Sequence, residues 1–268
     1  MAKPRACITA RHLQKITSML GLRDIKNTKE EHSNILIFGG SGVIGRAIAT
    51  EFGNQGWSVG IHYHHNRKSA EETAATINIT EGDAQVYQAN VHDLSQIRNI
   101  FHSFLQDHGS LTLLIWAVGV APSKLLTKTT ADEWGDTIQT NLTGAFHILR
   151  EAGPILKRQR GGAVILIGSR SGEQGMTGQA AYAASKAGLM GLMRTAAQEW
   201  GSWNIRVNAI FPGWHSSPLS GPGIDSVLEH QTHSLNRTPS LDHVAKSVYH
   251  LGSTRDISGQ VWNLDSRL

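Results

Sequence analysis

The sequence contains a single cysteine, Cys7, among its 268 residues, which excludes an internal disulfide and suits a reducing compartment. We therefore expect a cytoplasmic location. No apolar run approaches the roughly 18 residues that a membrane-spanning helix needs, so no membrane segment is expected. Charged residues make up only 17% of the chain and apolar residues 40%, which excludes the charge-rich composition of a disordered protein.

Acidic residues are absent from the start of the chain until Asp24. A basic, hydroxyl-bearing and acid-poor segment is typical of an organelle transit peptide, so residues 1–23 are a candidate targeting segment, with an additional amphipathic helix as the alternative. We predict an N-terminal extension and linker over 1–34 and one catalytic domain over 35–268. The net charge of +4 favours anionic ligands, but without a basic stripe or a nucleic-acid motif we expect no nucleic-acid partner.

Apolar runs and helical patterns alternate from residue 35 onward. Strands are predicted at 35–39, 58–63, 84–88, 111–116, 163–168, 205–211 and 260–264, and helices near 43–55, 68–79, 93–107, 131–157, 179–201 and 240–251. Continuous apolar strands separated by helices indicate a parallel sheet that is covered on both faces. The predicted fold class is α/β, a Rossmann-type doubly wound parallel seven-stranded sheet with helices on both faces.

The stretch "ILIFGGSGVIGRAIA" combines a strand, a glycine turn and a helix. Gly39, Gly40, Gly42 and Gly45 would let backbone N–H groups approach a pyrophosphate at the helix N-terminus, where the helix dipole favours an anion. Any tight turn between a strand and a helix can use glycine, but the position on the first strand favours nucleotide binding.

The end of the second strand indicates which nucleotide is bound. An NAD site usually places Asp or Glu there, whereas "HYHHNRKSAEE" has no carboxylate before Glu71. Arg67, with His64 nearby, is our candidate for binding a 2′-phosphate, so we predict NADPH as the cofactor. A solvated, charged helix start is the alternative, and the pair His62-x-His64 lacks a third ligand, so no metal is expected.

Tyr182 and Lys186 lie four residues apart in "AAYAASKAG", a spacing that places both on one face of a helix. A free phenol has a pKa near 10, and a nearby cation favours its ionised form, so the pair suits acid–base chemistry. Ser169 follows the predicted strand 163–168, at the edge of the sheet where ligands bind. Asn141 is predicted within a helix, where asparagine is unfavourable, which suggests a role in bending the helix or holding a water.

These motifs occur in the order that is typical of the short-chain dehydrogenase/reductase family, which the chain resembles from about residue 35 to its end. The resemblance implies that Tyr182 protonates a carbonyl oxygen, Ser169 stabilises it, Lys186 binds the nicotinamide ribose and lowers the pKa of Tyr182, and Asn141 holds a water. It also implies a cofactor site formed by Gly39, Ser41, Gly42, Val43, Ile44, Asn90, Val91, Ala117, Gly119, Tyr182, Lys186, Pro212, Gly213 and Ser217.

Several positions depart from the family pattern. Phe38 and Val43 replace a threonine and a glycine of the turn, Asn90 replaces the acid that meets adenine, and "WAVG" replaces Asn-Asn-Ala-Gly. Ser217 stands in place of a threonine, and the chain ends "NLDSRL" instead of Asp-Gly-Gly. The departures concern the adenosine pocket more than the four catalytic positions.

Within this family, the stretches "LIGSRSGEQGMTGQAAYAASKAGLMGLMRTAAQEW" and "LNRTPSLDHVAKSVYHL" most resemble 3-oxoacyl-carrier-protein reductases of fatty acid biosynthesis. The resemblance implies a 3-oxoacyl thioester substrate, an acyl carrier protein as partner, and a homotetramer. The cations of "LKRQRGG", Lys157, Arg158 and Arg160, are expected beside the active-site edge, where they would steer an acidic carrier. Trp203 stands at a second position that is basic in the family.

Small residues along the helix that follows Tyr182 would allow close helix packing within one subunit or between two. Other functions also remain open for this chain. They are the reduction of a pteridine, the oxidoreduction of a steroid or a sugar alcohol, and a non-catalytic role as an NADP-sensing regulator, because a fold alone does not define activity.

Overall fold

The computed structural model describes residues 33–79, 82–217 and 233–267. The candidate targeting segment 1–23 lies outside the described residues, as does nearly all of the predicted extension 1–34. From Ser33 onward the chain forms one compact unit. None of the helices in the described ranges combines the length and the apolar character that crossing a membrane requires.

Strands and helices alternate along the described chain. The strands are β1 (Asn34–Phe38), β2 (Ser58–Tyr63), β3 (Asp83–Gln88), β4 (Leu113–Trp116), β5 (Gly162–Ile167), β6 (Ile205–Phe211) and β7 (Val261–Asn263). The helices are α1 (Val43–Asn54), α2 (Arg67–Ile79), α3 (Leu94–His108), α4 (Ala131–Ile138), α5 (Gly144–Gln159), α6 (Ser171–Gln174), α7 (Ala180–Trp200) and α8 (Leu241–Ser253).

The seven strands form one parallel sheet in the order β3-β2-β1-β4-β5-β6-β7. This arrangement confirms the predicted fold class. The strand order reverses between β1 and β4, which pair from Ile35 with Leu113 to Phe38 with Trp116. In a doubly wound sheet, ligands bind in the crevice outside the carboxyl ends of the strands at this reversal.

The two faces of the sheet are buried under separate apolar clusters. Along β1, Leu36 and Phe38 belong to one cluster and Ile35 and Ile37 to the other, because successive side chains of a strand point to opposite faces. All five residues of β1 are buried. Helices therefore cover both faces and leave the carboxyl edge of the sheet to form the functional site.

The predicted helix 131–157 is interrupted. A π-helical turn, Gln139–Thr143, separates α4 from α5. Thr130 caps α4 and forms a capping box with Glu133, which fixes the start of this segment. The predicted strands and the other helices are displaced by no more than two residues from the observed bounds, and β2 and β6 match the prediction at both ends.

Candidate active site

The glycine turn between β1 and α1 packs closely against the end of β4. Gly39 has φ +82, and a Cβ on Gly39 would lie 2.7 Å from the backbone carbon of Ala117. A Cβ on Gly45 would lie 2.2 Å from the carbonyl oxygen of Gly39. No side chain caps the N-terminus of α1 at Gly42, and its first turn carries no acid. The turn thus presents an uncapped helix N-terminus that suits an anion.

The buried side chain of His62 is hydrogen-bonded to this glycine turn. The Nδ1 atom of His62 accepts a hydrogen bond from the Gly39 N–H at 3.0 Å, so Nε2 carries the proton and donates to the Ala89 carbonyl at 3.1 Å. The Phe38 and His62 ring centroids lie 4.8 Å apart, and His62 is 2% exposed. Burial lowers the pKa of His62 to about 4. His62 is therefore a neutral link between the glycine turn and the end of β3. Among the described residues, no group of three or more His, Cys, Asp or Glu side chains is placed to hold a metal ion.

Asn141 is completely buried in the π-helical turn. Its Oδ1 atom accepts from the Val120 N–H at 2.8 Å, and its Nδ2 atom donates to the Val120 carbonyl at 2.9 Å and to the Ser185 hydroxyl at 3.0 Å. Ser185 in turn donates to the Tyr182 carbonyl at 2.7 Å. The asparagine thus joins the loop after β4 to the helix that carries the reactive tyrosine.

Ser169, Tyr182 and Lys186 line one cavity at the carboxyl edge of the sheet. Ser169 follows β5, and its hydroxyl accepts from the Ser171 N–H at 3.2 Å. The Lys186 ammonium donates to the Ile167 carbonyl at 2.7 Å and lies 5.5 Å from the centre of the Tyr182 ring. The cavity therefore brings the hydroxyl groups of Ser169 and Tyr182 and the ammonium group of Lys186 into a single space.

Burial dominates the ionisation of this group of residues. It raises the pKa of Tyr182, against the opposing effects of the neighbouring Ser169 hydroxyl and of the Arg267 charge. Burial also lowers the pKa of Lys186 to about 8. The raised pKa differs from the expectation that Lys186 lowers the tyrosine pKa, because desolvation of the phenolate outweighs the neighbouring groups.

Ten of the sixteen predicted cofactor residues border this same cavity. They are Gly42, Val43, Ile44, Ala117, Gly119, Tyr182, Lys186, Pro212, Gly213 and Ser217. The cavity thus reaches from the glycine turn to the reactive tyrosine and onward to the loop after β6. This continuity is what a dinucleotide bound along the crevice requires.

The remaining predicted cofactor residues lie outside the lining of the cavity. They are Gly39, Ser41, His64, Arg67, Asn90 and Val91. The Arg67 guanidinium contacts the Glu71 carboxylate at 2.8 Å, and the His64 ring lies 3.6 Å from the His65 ring. The Oδ1 atom of Asn90 accepts from the His92 N–H, and the Val91 side chain packs into the apolar core.

The predicted position of the basic patch is wrong for a single chain. Lys157 and Arg158 lie in the last turn of α5, and Arg160 is just before the start of β5. Ser169 follows the opposite end of β5, and six strand residues span about 20 Å. The patch therefore lies at the amino edge of the sheet, away from this chain's own cavity. Lys157 Nζ lies 4.0 Å from the centre of the Trp203 ring.

Sequence reasoning missed three groups that the fold brings to the site. Arg267 and His215 line the cavity, and His62 holds the glycine turn. The departure of "NLDSRL" from Asp-Gly-Gly was a signal for Arg267, because it replaces glycine with a long cationic side chain. His215 carried no motif.

The family model that matches the chain is that of the short chain dehydrogenase, over residues 33–224. A 3-oxoacyl-[acyl-carrier-protein] reductase FabG of Staphylococcus aureus is 36% identical over 194 residues, 72% of this chain and 79% of the relative. A protein of the same name from Thermotoga maritima is 30% identical over 240 residues, 87% of this chain and 96% of the relative. The crystal structure of a dehydrogenase/reductase from Sinorhizobium meliloti superimposes with a TM-score of 0.80 at 25% identity, over 87% of this chain and 94% of that chain.

The chain belongs to the short chain dehydrogenase family. The family assignment made from the sequence motifs is confirmed, and so is the enzyme class, an oxidoreductase of the NAD(P)H-dependent ketoreductase type. The individual roles of Asn141, Ser169, Tyr182 and Lys186 stay predictions.

Proposed function

We propose that the protein is an NADPH-dependent reductase that converts the ketone of a 3-oxoacyl thioester to a secondary alcohol. The observation that carries the proposal is the cavity that Ser169, Tyr182 and Lys186 share with the glycine turn. The names of the FabG relatives support the substrate class, since each is described as a 3-oxoacyl-[acyl-carrier-protein] reductase.

A nicotinamide dinucleotide fits the residues that are present. The uncapped N-terminus of α1 offers backbone donors to a pyrophosphate, and the Gly39 and Gly45 positions have no room for a side chain. The bound cofactor would supply the hydride for the reduction. Gly42 to Ile44 would hold its phosphates, and Lys186 would bind its ribose.

In this proposal Tyr182 donates the proton to the ketone oxygen. Its raised pKa keeps the phenol protonated at neutral pH, so the hydroxyl is ready to donate to a ketone oxygen. The Ser169 hydroxyl would donate to the same oxygen and orient it. The phenolate left behind would be stabilised by the nearby charges of Lys186 and Arg267.

NADH oxidation and NADPH oxidation with acetoacetyl thioesters, pteridines and simple ketones test the reaction and its substrate class. We expect NADPH and the thioester to give the highest kcat/KM. Tyr182→Phe should lower kcat by 10² or more while nucleotide affinity stays within twofold, because general acid catalysis contributes about 10²–10⁴. A variant that keeps a tenth of wild-type kcat would contradict the role of Tyr182. Nucleotide binding without turnover of any substrate would favour the sensor.

The preference for NADPH rests on Arg67 and on the absence of a carboxylate between β2 and Glu71. In the described structure Glu71 competes for Arg67. Glu71→Gln should therefore tighten NADPH binding several-fold and leave NADH binding unchanged, since a phosphate gains a cation that is no longer paired. Glu72→Gln removes the looser contact with Lys68, at 3.9 Å, and is the matched control. Equal effects of both variants on NADPH would contradict the assignment.

An acyl carrier protein as partner and a homotetramer belong to the same proposal, as does a cytoplasmic location. Because Arg160 lies at the amino edge, we propose that a carrier bound to the patch serves the site of a second copy. Arg160→Glu should then lower kcat/KM for carrier-bound thioester and not for a small thioester, with the carrier effect weakening as salt rises. Identical responses of the two substrates would remove the patch from the proposal.

Exposed apolar side chains support self-association. Trp134 on α4 and Phe146 on α5 are 42% and 45% exposed, and Ala187 and Gly191 are exposed on α7. Other small residues of α7 pack inside the subunit, since a Cβ on Gly188 would lie 2.7 Å from the Leu142 side chain. Gly188 thus packs within the subunit, and the exposed Ala187 and Gly191 support the proposal that α7 also packs against a second copy.

A further inference from the structure

The chain segment after β7 returns to the active-site cavity and is held there by several hydrogen bonds. The Asp265 N–H donates to the Asn263 side chain at 2.9 Å, and the Ser234 N–H donates to the Ser266 carbonyl at 2.8 Å. Arg267 forms an isolated antiparallel bridge with His233. These contacts place the side chain of Arg267 in the cavity wall, at a position where the family pattern has glycine.

A buried carboxylate fixes the orientation of the Arg267 guanidinium. The Nε atom of Arg267 lies 2.8 Å from Oδ1 and 3.0 Å from Oδ2 of Asp265, and a terminal nitrogen of the same guanidinium also contacts Oδ2. The two side chains are 9% and 1% exposed. A bidentate pair of this kind gives the guanidinium a defined plane in the cavity wall.

The charges of Arg267 and Arg170 both influence the Asp265 carboxylate. Burial would raise the pKa of Asp265, but hydrogen bonds and charge from Arg267, with the charge of Arg170, hold it below its ordinary value. Two guanidinium groups therefore act on one carboxylate. The Arg267 charge also reaches Tyr182, where the ketone would bind. A substrate oxygen next to the reacting ketone would share the cavity with the Arg267 side chain.

A 3-oxoacyl group has such an oxygen, because its C1 carbonyl is separated from the C3 ketone by one methylene. We propose that Arg267 is a specificity-determining residue whose guanidinium donates a hydrogen bond to the C1 oxygen of a 3-oxoacyl substrate while Tyr182 and Ser169 engage the C3 ketone. The proposal rests on the proposed function, that the cavity reduces such ketones. Asp265 is the positioning residue for the guanidinium.

The test compares three ketones: acetoacetyl-N-acetylcysteamine, acetoacetate, and 2-pentanone, which has no C1 oxygen. Removing Arg267 alone would leave a buried carboxylate unpaired, so the double variant D265N/R267M is used. We expect its kcat/KM for the thioester to fall at least tenfold more than its kcat/KM for 2-pentanone. Dividing the loss of kcat/KM for the thioester by the loss for 2-pentanone cancels any effect of the double variant on Tyr182, because Tyr182 would protonate the ketone oxygen of both substrates. Acetoacetate distinguishes a carboxylate from a thioester as the source of the oxygen.

Two further variants control the comparison. Arg267→Lys keeps the charge but loses the planar fork, and we expect an intermediate loss for the thioester. Arg255→Met changes an exposed arginine after α8 and should alter none of the three rates. NADPH affinity, followed by fluorescence, should stay within twofold in every variant, which verifies that the fold and the nucleotide site are intact.

Equal losses with all three ketones would overturn the proposal, since Arg267 would then act on the fold or on Tyr182 alone. A wild-type chain that reduces 2-pentanone but neither the acetoacetyl thioester nor acetoacetate would also overturn it. A wild-type chain that reduces none of the three would contradict the proposed function itself, and the wild-type rates separate that failure from the loss of a role for Arg267.

Discussion

Acidification should weaken the fold through His62, the residue that holds the glycine turn. The neutral ring accepts from the Gly39 N–H, so a proton on Nδ1 would replace that hydrogen bond with two opposed donors. Burial lowers the pKa of His62 from 6.5 to about 4. In the unfolded chain the same ring binds a proton near pH 6.5, so the unfolded state gains stability first as the pH falls.

The magnitude follows from these two pKa values. Above pH 6.5 the neutral His62 makes its full contribution to the free energy of unfolding. This contribution is lost progressively as the pH falls from 6.5 to about 4. At 1.36 kcal/mol per pKa unit, the contribution of His62 to the free energy of unfolding should decrease by about 2 kcal/mol between pH 7.5 and 5.0. Solvent screening is small here because the ring is 2% exposed.

Urea unfolding at the two pH values, followed by tryptophan fluorescence at one protein concentration, measures this loss. His62→Gln removes the titrating ring. The decrease in its free energy of unfolding between pH 7.5 and 5.0 should therefore be about 2 kcal/mol smaller than the decrease in the wild type. His102→Gln changes an exposed histidine on α3 and should keep the wild-type dependence. If wild type and His62→Gln lose equal stability, the ring is not neutral in the folded state and the reasoning fails.

Three further results are expected. Gly45→Ala should lower nucleotide affinity more than tenfold, because its Cβ would lie 2.2 Å from the Gly39 carbonyl oxygen, whereas Gly135→Ala meets no atom within 4 Å and should have no effect; equal titration curves would contradict this. Asn141→Ala should lower the free energy of unfolding by about 3 kcal/mol, since both Val120 backbone groups lose their partner; an unchanged urea midpoint would refute it. Light scattering should give a tetramer mass that Phe146→Glu reduces, and a wild-type monomer at micromolar concentration would exclude the oligomer.

Local chemistry explains why so much of the fold was predictable. The mainly apolar runs at β2 and β6 gave both bounds of each strand, because strands buried on both faces of a parallel sheet have near-continuous apolar sequences. The glycine turn and the Tyr182–Lys186 spacing are likewise contained in short segments. Chain order alone placed Ser169 after β5, at the edge where the cavity lies.

Long-range contacts explain what sequence reasoning could not supply. Arg267 lies in the cavity wall on a segment that is held in part by the Ser234 N–H, which donates to the Ser266 carbonyl, and this contact between distant parts of the chain is not evident from the sequence. The prediction for Arg160 was wrong because it treated proximity to β5 in the sequence as proximity to Ser169, whereas Arg160 precedes the strand and Ser169 follows its other end. The raised pKa of Tyr182 depends on burial, which a spacing of four residues does not reveal.

Asn141 shows how a local cost can be offset by contacts across the site. Asparagine is a poor helix former, and here the helix yields to a π-helical turn at that residue. In return, one amide pairs with both backbone groups of Val120, which would be costly to leave unpaired, and also donates to the Ser185 hydroxyl. Because Ser185 also bonds the Tyr182 carbonyl, the same amide fixes the helical turn that carries the phenol. The π-helical turn between α4 and α5 thus contains the amide that links the tyrosine's helix to the loop after β4.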